Sequence, residues 1–128
     1  MAKINKVNAT WLRNMAFEAE LDGHRLVMDA ATEFGGRDLG PRPKPFMLLA
    51  LAGCTGMDVV SLLKKMRVEF EAFSVEVEGE LSEERPIRYT RMHVIYSFKG
   101  RDLPLEKLEK AVKMSEEQLC GVGLILPI

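Results

Sequence analysis

The chain predicts an α+β fold, a sandwich of β-hairpins around one long buried helix, and three observations carry that prediction. Two stretches, Phe17 to Met28 and Phe73 to Phe98, alternate apolar and polar residues about a turn signal, the mark of strands with one packed and one wet face. Between them, Phe46 to Arg67 has the length and composition of a long helix. A shorter helical pattern from Asp102 closes the order. Hairpins and helices in separate runs give an α+β layering.

Each element has its own warrant. A first strand is expected around Ile4 to Trp11, with Val7, Ala9 and Trp11 on one face. Phe17, Ala19 and Leu21 alternate with Glu18 and Glu20, Asp22-Gly23 makes a two-residue hairpin turn, and Leu26 and Met28 resume on the return strand. Glu33 to Pro45 reads as a loop, punctuated by Gly35, Gly36, Gly40, Pro41 and Pro43 and charged by Arg37, Arg42 and Lys44. The helix from Phe46 to Arg67 is either continuous or broken near Gly53 and Gly56. Its first half is apolar all round and is expected to be buried, its second half is amphipathic, and Lys64, Lys65 and Arg67 suit its negative end. Its start lacks a Ser, Thr, Asp or Asn cap.

The second hairpin pairs Phe73 to Leu81 with Met92 to Phe98 across a Ser82 to Pro86 turn, and Glu76, Glu78 and Glu80 form its solvated face. From Asp102, Pro104 sits near the first turn of a helix carrying Leu105, Leu108, Ala111 and Val112. Ser115-Glu116-Glu117-Gln118 has capping-box spacing, which predicts a new short helix with Cys120 in its first turns. Trp11, Phe46, Phe70 and Phe73 are assigned to the core.

With 128 residues the chain suits one domain over 1–128. Eighteen basic against nineteen acidic residues leave a net charge of −1, so no nucleic-acid partner is expected. No cofactor and no metal is expected either: His24 and His93 would have to converge by accident with the two cysteines. Two cysteines without a signal-like N-terminus point to a reducing cytoplasm. The longest apolar run, Phe46 to Ala52, falls short of the roughly 20 residues that span a bilayer, so no membrane segment is expected. A chain of this size cannot cover an all-round apolar helix, so a homodimer is expected, with Gly53 and Gly56 permitting close helix approach.

The cysteines point towards chemistry. Cys54 is framed as Gly53-Cys54-Thr55-Gly56 inside the apolar helix, and Cys120 follows in Leu119-Cys120-Gly121. A thiol beside glycine is approachable, and a second cysteine can resolve an oxidised first one. The competing reading is two buried cysteines serving as small hydrophobes. Gly53-Cys54-Thr55-Gly56 also matches the GXXG pattern of backbone-clamping loops, but it lies in an apolar run with no basic central pair.

The order of elements, the segment Gly40-Pro41-Arg42-Pro43-Lys44-Pro45-Phe46 through Gly53-Cys54-Thr55-Gly56-Met57-Asp58-Val59-Val60, and Ser115 through Val122 resemble the OsmC/Ohr family of hydroperoxide-reducing proteins. The resemblance covers nearly the whole chain and implies an intertwined homodimer. It also implies a two-cysteine thiol peroxidase: Cys54 attacks an organic hydroperoxide and becomes a sulfenic acid, Cys120 resolves it, and a dithiol reductant closes the cycle. A thiol of pKa about 8.5 needs a cationic neighbour to react at neutral pH. The family supplies an arginine held by a glutamate, and Arg13 and Arg37 both stand near places from which members supply it.

Two departures accompany the resemblance. Lys44 and Pro45 occupy the stretch where the anchoring glutamate is found in other members, and Arg42 or Lys44 could supply the charge directly. The chain also ends sooner after its second cysteine than members usually do. Two classes of function therefore stand: a hydroperoxide reductase with Phe46 to Leu51 and Met57 lining its pocket, and a non-catalytic dimeric ligand-binding or stress-related protein with inert cysteines.

Overall fold

The computed structural model describes residues 2–119. Cys120, the segment after it and the expected form of the last helix lie outside the described residues. Elements are antiparallel hairpins and helices in the order expected for α+β, and they divide into two compact units, one ending at Met47 and one beginning at Leu48.

In the first unit, β1 (Ala9–Arg13), β2 (Ala16–Leu21) and β3 (His24–Met28) form one antiparallel sheet in that order. Asp22 and Gly23 both adopt positive φ, 51° and 79°, the type I′ geometry that two-residue hairpins need. Strand β1 starts later than expected. Ile4 and Val7 lie before it, 87% and 63% exposed, because β2 pairs only from Ala9 onward and gives them no ladder partner. Trp11 is 60% exposed instead of in the core, and its Nε1–H donates to the Asn14 carbonyl at 2.8 Å. Beyond Met28 the chain turns through a short 3₁₀ turn, Thr32–Phe34.

Helix α1 (Pro43–Lys65) runs unbroken through Gly53 and Gly56 and begins three residues before Phe46. Its missing N-cap now has a physical account. Pro43 and Pro45 have no N–H, and the Phe46 N–H already reaches the Arg42 carbonyl at 3.3 Å, so Lys44 holds the lone donor of the first three positions. At the other end Arg67 takes φ 60°, with Arg67 N–H donating to the Lys64 carbonyl and Val68 N–H to the Leu63 carbonyl at 3.1 and 2.9 Å. This is a Schellman cap with arginine in the glycine position.

The second unit packs α1 against β4 (Ala72–Leu81), β5 (Tyr89–Lys99) and α2 (Leu105–Met114). Strands β4 and β5 pair in full register from Ala72 opposite Lys99 to Gly79 opposite Met92. One core cluster joins Val59, Leu62 and Leu63 of α1 to Val68, Leu108 and Ala111. Phe70, Phe73 and Phe98 support it, with the Phe73 and Phe98 rings stacked at 4.4 Å. A second cluster joins Leu51 to Tyr89 and Met92.

Two expectations about helices need correction. The first half of α1 is not buried: Met47 and Leu49 are exposed, and Leu51 alone of Phe46 to Ala52 is buried. The chain has too little surface to cover a helix that is apolar all round. For the same reason α1 has the length and composition of a membrane span, its best window having a mean hydropathy of 1.9, although no run of consecutive apolar residues suggested it. A core helix passes the same test, and Leu51, Thr55, Val59, Leu62 and Leu63 are buried within the protein. The other correction is Ser115, which closes α2 instead of N-capping a new helix. It adopts helical φ −61°, ψ −46° as α2 widens into a π-helical turn over Ser115–Leu119, and its hydroxyl is used elsewhere.

Candidate functional site

Cys54 stands midway along α1. It is half-buried, packed beside Leu51, Tyr89 and Met92 with Leu48, Val77 and Val94 around it. The helix places Leu48 and Leu51 on that side and aims Gly53 away from it: nothing stands within 4 Å of where a Gly53 Cβ would be. A thiol with apolar walls and an open neighbour suits a soft nucleophile meeting an apolar substrate.

Two polar groups near it were not picked out from the sequence. The next residue, Thr55, is 3% exposed, and its carbonyl accepts the hydroxyl of fully buried Ser115 at 3.3 Å. One turn on, Asp58 keeps its Oδ2 buried with no hydrogen-bond partner among the described residues. The i, i+4 spacing from Cys54 to Asp58 was visible and would have shown that they share a helix face. That the carboxylate oxygen is enclosed required the fold.

On another face of α1 lies an open groove of about 640 Å³, where Gly53, Gly56, Met57 and Val60 face Phe73 and Val75. Met57 lines it, whereas none of Phe46 to Leu51, expected to share a substrate pocket with Met57, does. Gly56 does not mark a site of unusually close approach inside the chain: a Cβ there would meet Val75 Cγ2 at an ordinary 3.5 Å.

The two candidate arginines both belong to the first unit, and both are exposed. Arg13 ends β1 opposite Ala16, beside an irregularity in the ladder. Arg37 is set by its backbone: its N–H donates to Asp29 Oδ2 at 3.1 Å. The Leu39 and Ala30 N–H groups join at 3.2 and 2.7 Å. Burial pushes the Asp29 carboxyl up, but these three donors and the Arg42 charge outweigh it, leaving the group below the ordinary aspartate value. Gly36 is required beside Arg37, since a Cβ there would run into the Ala30 carbonyl. Arg42 is occupied inside this loop, donating to Asp38 at 2.6 Å and to the Gly40 carbonyl at 3.1 Å.

The architecture and the helix-borne thiol fit a known class. The OsmC-like protein family model matches residues 35–127, and the chain belongs to the OsmC/Ohr family of stress-related, redox-type proteins. Among curated relatives it is similar to protein YhfA of Escherichia coli strain K12, 33% identical over 117 residues spanning 91% of this chain and 84% of that protein. Among solved structures it resembles a hypothetical protein from Aquifex aeolicus VF5, with a TM-score of 0.84 and 24% identity over 97% of this chain and 87% of that one. It also resembles an organic hydroperoxide resistance protein OsmC from Legionella pneumophila, with a TM-score of 0.69 and 18% identity over 97% and 90% of the two chains. These last two likenesses concern the fold.

Proposed function

We propose that the chain is a thiol-dependent peroxidase for organic hydroperoxides. The observation that carries the reading is the half-buried Cys54 thiol on α1, walled by Leu51 and Met92 beside the bare Gly53, in a member of this family. The Cys54 thiolate attacks one oxygen of the O–O bond, which breaks. The alkoxide leaves and takes a proton to become the alcohol, and Cys54 becomes a sulfenic acid. The Cys120 thiol then displaces the hydroxyl as water, forming an intramolecular disulfide, and a dithiol reductant returns both thiols. A guanidinium, from Arg13 or Arg37, favours the thiolate.

Residues 1–128 act as one domain in this reading, since the family model spans both compact units. The working form is a cytoplasmic homodimer. Support comes from the exposed apolar residues of α1 and from an apolar cavity of about 540 Å³ in the first unit, lined by Met15, Phe17, Met28 and Phe34, both of which call for cover. The open groove favours the second reading, a non-catalytic dimer that binds an apolar ligand.

The two separate on one experiment. Cys54→Ser is expected to abolish consumption of an organic hydroperoxide in the presence of a dithiol while circular dichroism and melting stay close to wild type. Wild-type turnover in Cys54→Ser removes the peroxidase reading.

A further inference from the structure

Asp58 breaks the pattern of the helix that carries Cys54. The buried stripe of α1 runs through Leu51, Thr55, Val59, Leu62 and Leu63, and Asp58 follows Leu51 by seven positions and precedes Leu62 by four, so helical periodicity sets it on that stripe. An apolar side chain would suit the place. Leu51 belongs to the apolar cluster around Cys54 and Leu62 to the larger core cluster, and Asp58 lies between them along the helix. Its Oδ2 is enclosed with no hydrogen-bond partner, and no ion pair engages it among the described residues. An ionised carboxylate only accepts hydrogen bonds, and enclosing one of its oxygens without a donor is destabilising. The residue as a whole is half-buried, so the carboxyl group is open to a small arriving group.

Two roles are open to a carboxylate one turn from a thiol. Activating the thiol is not one it performs well, since a negative charge disfavours a second anion beside it. Accepting a hydroxyl held at the sulfur suits it. Residues at i and i+4 of a helix have Cβ atoms about 5–6 Å apart, and an O–H···O⁻ bond spans about 2.5–2.7 Å, so one oxygen placed against the Cys54 sulfur comes within reach of the carboxylate. We propose that Asp58 accepts the O–H of the hydroperoxide and holds the transferred hydroxyl against Cys54 through the reaction. This rests on the peroxidase reading above. The thiolate attacks the terminal oxygen, the O–O bond breaks with its electron pair going to the departing alkoxide, and the terminal oxygen stays on sulfur with its hydrogen. The alkoxide takes its proton from water. Asp58 gains and loses nothing: it accepts the same O–H first from the bound hydroperoxide and then from the Cys54 sulfenic acid.

The test sets two reactions of Cys54 side by side in the full chain. One is oxidation by tert-butyl hydroperoxide, which brings an O–H; the other is attack on methyl methanethiosulfonate, which carries no hydrogen-bond donor. Loss of the Cys54 thiol is timed in both by quenching and peptide mass spectrometry, and the ratio of the two rates decides. Asp58→Leu, close to Asp in shape and apolar, is expected to slow oxidation about ten- to a hundredfold, the factor that a hydrogen bond to a charged group represents. Its reaction with the thiosulfonate should run at the wild-type rate or faster, because the opposing charge is gone. It should also melt at or above the wild-type temperature, since an apolar group replaces an oxygen without a donor. Asp58→Asn keeps the size and a neutral carbonyl acceptor, so it should fall between wild type and Asp58→Leu in oxidation, and it carries the test if Asp58→Leu does not fold. Oxidation unchanged in the variants, or both reactions changed by the same factor, would overturn the role of Asp58. A wild type whose Cys54 reacts with the thiosulfonate and not with the hydroperoxide removes the peroxidase reading itself, before any variant is compared, so the two failures are distinguishable.

Discussion

The carboxylate of Asp29 accepts the backbone N–H of Arg37 across eight positions of sequence at 3.1 Å. A loop rich in glycine and proline is thereby held by one side chain, which also gathers Ala30 and Leu39. Arg37 keeps an exposed side chain on a fixed backbone.

Acid should loosen this loop. The folded Asp29 carboxyl lies below its ordinary value, so its contribution is fully present above the unfolded value of about 3.9 and is lost as pH falls through the lower folded value. Amide exchange at Arg37 and Leu39 should be protected near neutral pH and lose protection below about pH 4. Asp29→Asn should remove the pH dependence while lowering protection throughout. Protection that stays flat in the wild type from pH 6 to 3 would assign the loop's order to something other than Asp29.

Gly79 and Tyr89 give a stability prediction. A Cβ on Gly79 would stand 2.7 Å from the Tyr89 ring and 3.0 Å from Leu48 Cδ2, so the ring of one strand covers the bare backbone of the next. Gly79→Ala should cost about 1–3 kcal/mol, as overpacking does, read as a lower melting temperature. Tyr89→Ala should relieve the clash, so the double mutant should show less than the sum of the two single losses. Strict additivity would contradict the contact.

Alkaline titration offers a related check. Burial raises the Tyr89 phenol above its usual value. Its contribution is therefore fully present below the unfolded value of about 10 and is lost as pH rises through the higher folded one. Tyr89→Phe should flatten stability between neutral pH and pH 11; an unchanged alkaline slope would locate the effect elsewhere.

Met57 tests the assembly. It is 76% exposed on α1 and lines the open groove, so Met57→Glu should leave a single copy folded while a charge on a covered apolar face costs several kcal/mol of association. Sedimentation at micromolar concentration should find wild-type dimer and Met57→Glu monomer. A monomeric wild type ends the dimer reading.

The sequence by itself determined the elements and their order. Period-two alternation around Asp22-Gly23 and around the Ser82 to Pro86 turn specifies two hairpins wherever the rest of the chain goes, because side chains alternate faces in any strand. The apolar length from Phe46 onward specifies helix, the structure alone deciding that it runs unbroken through Gly53 and Gly56, and the motif around Cys54 carries the family. Local patterns could not tell which apolar residues find cover. Trp11 and Leu49 look like core residues and are exposed, since burial depends on how much surface the remaining chain can supply. Nor could they show that Ser115, with the spacing of a helix cap, donates its hydroxyl to Thr55 instead. A hydroxyl's partner is set by whatever carbonyl the packing of α2 against α1 brings within reach, and that contact joins residues sixty positions apart.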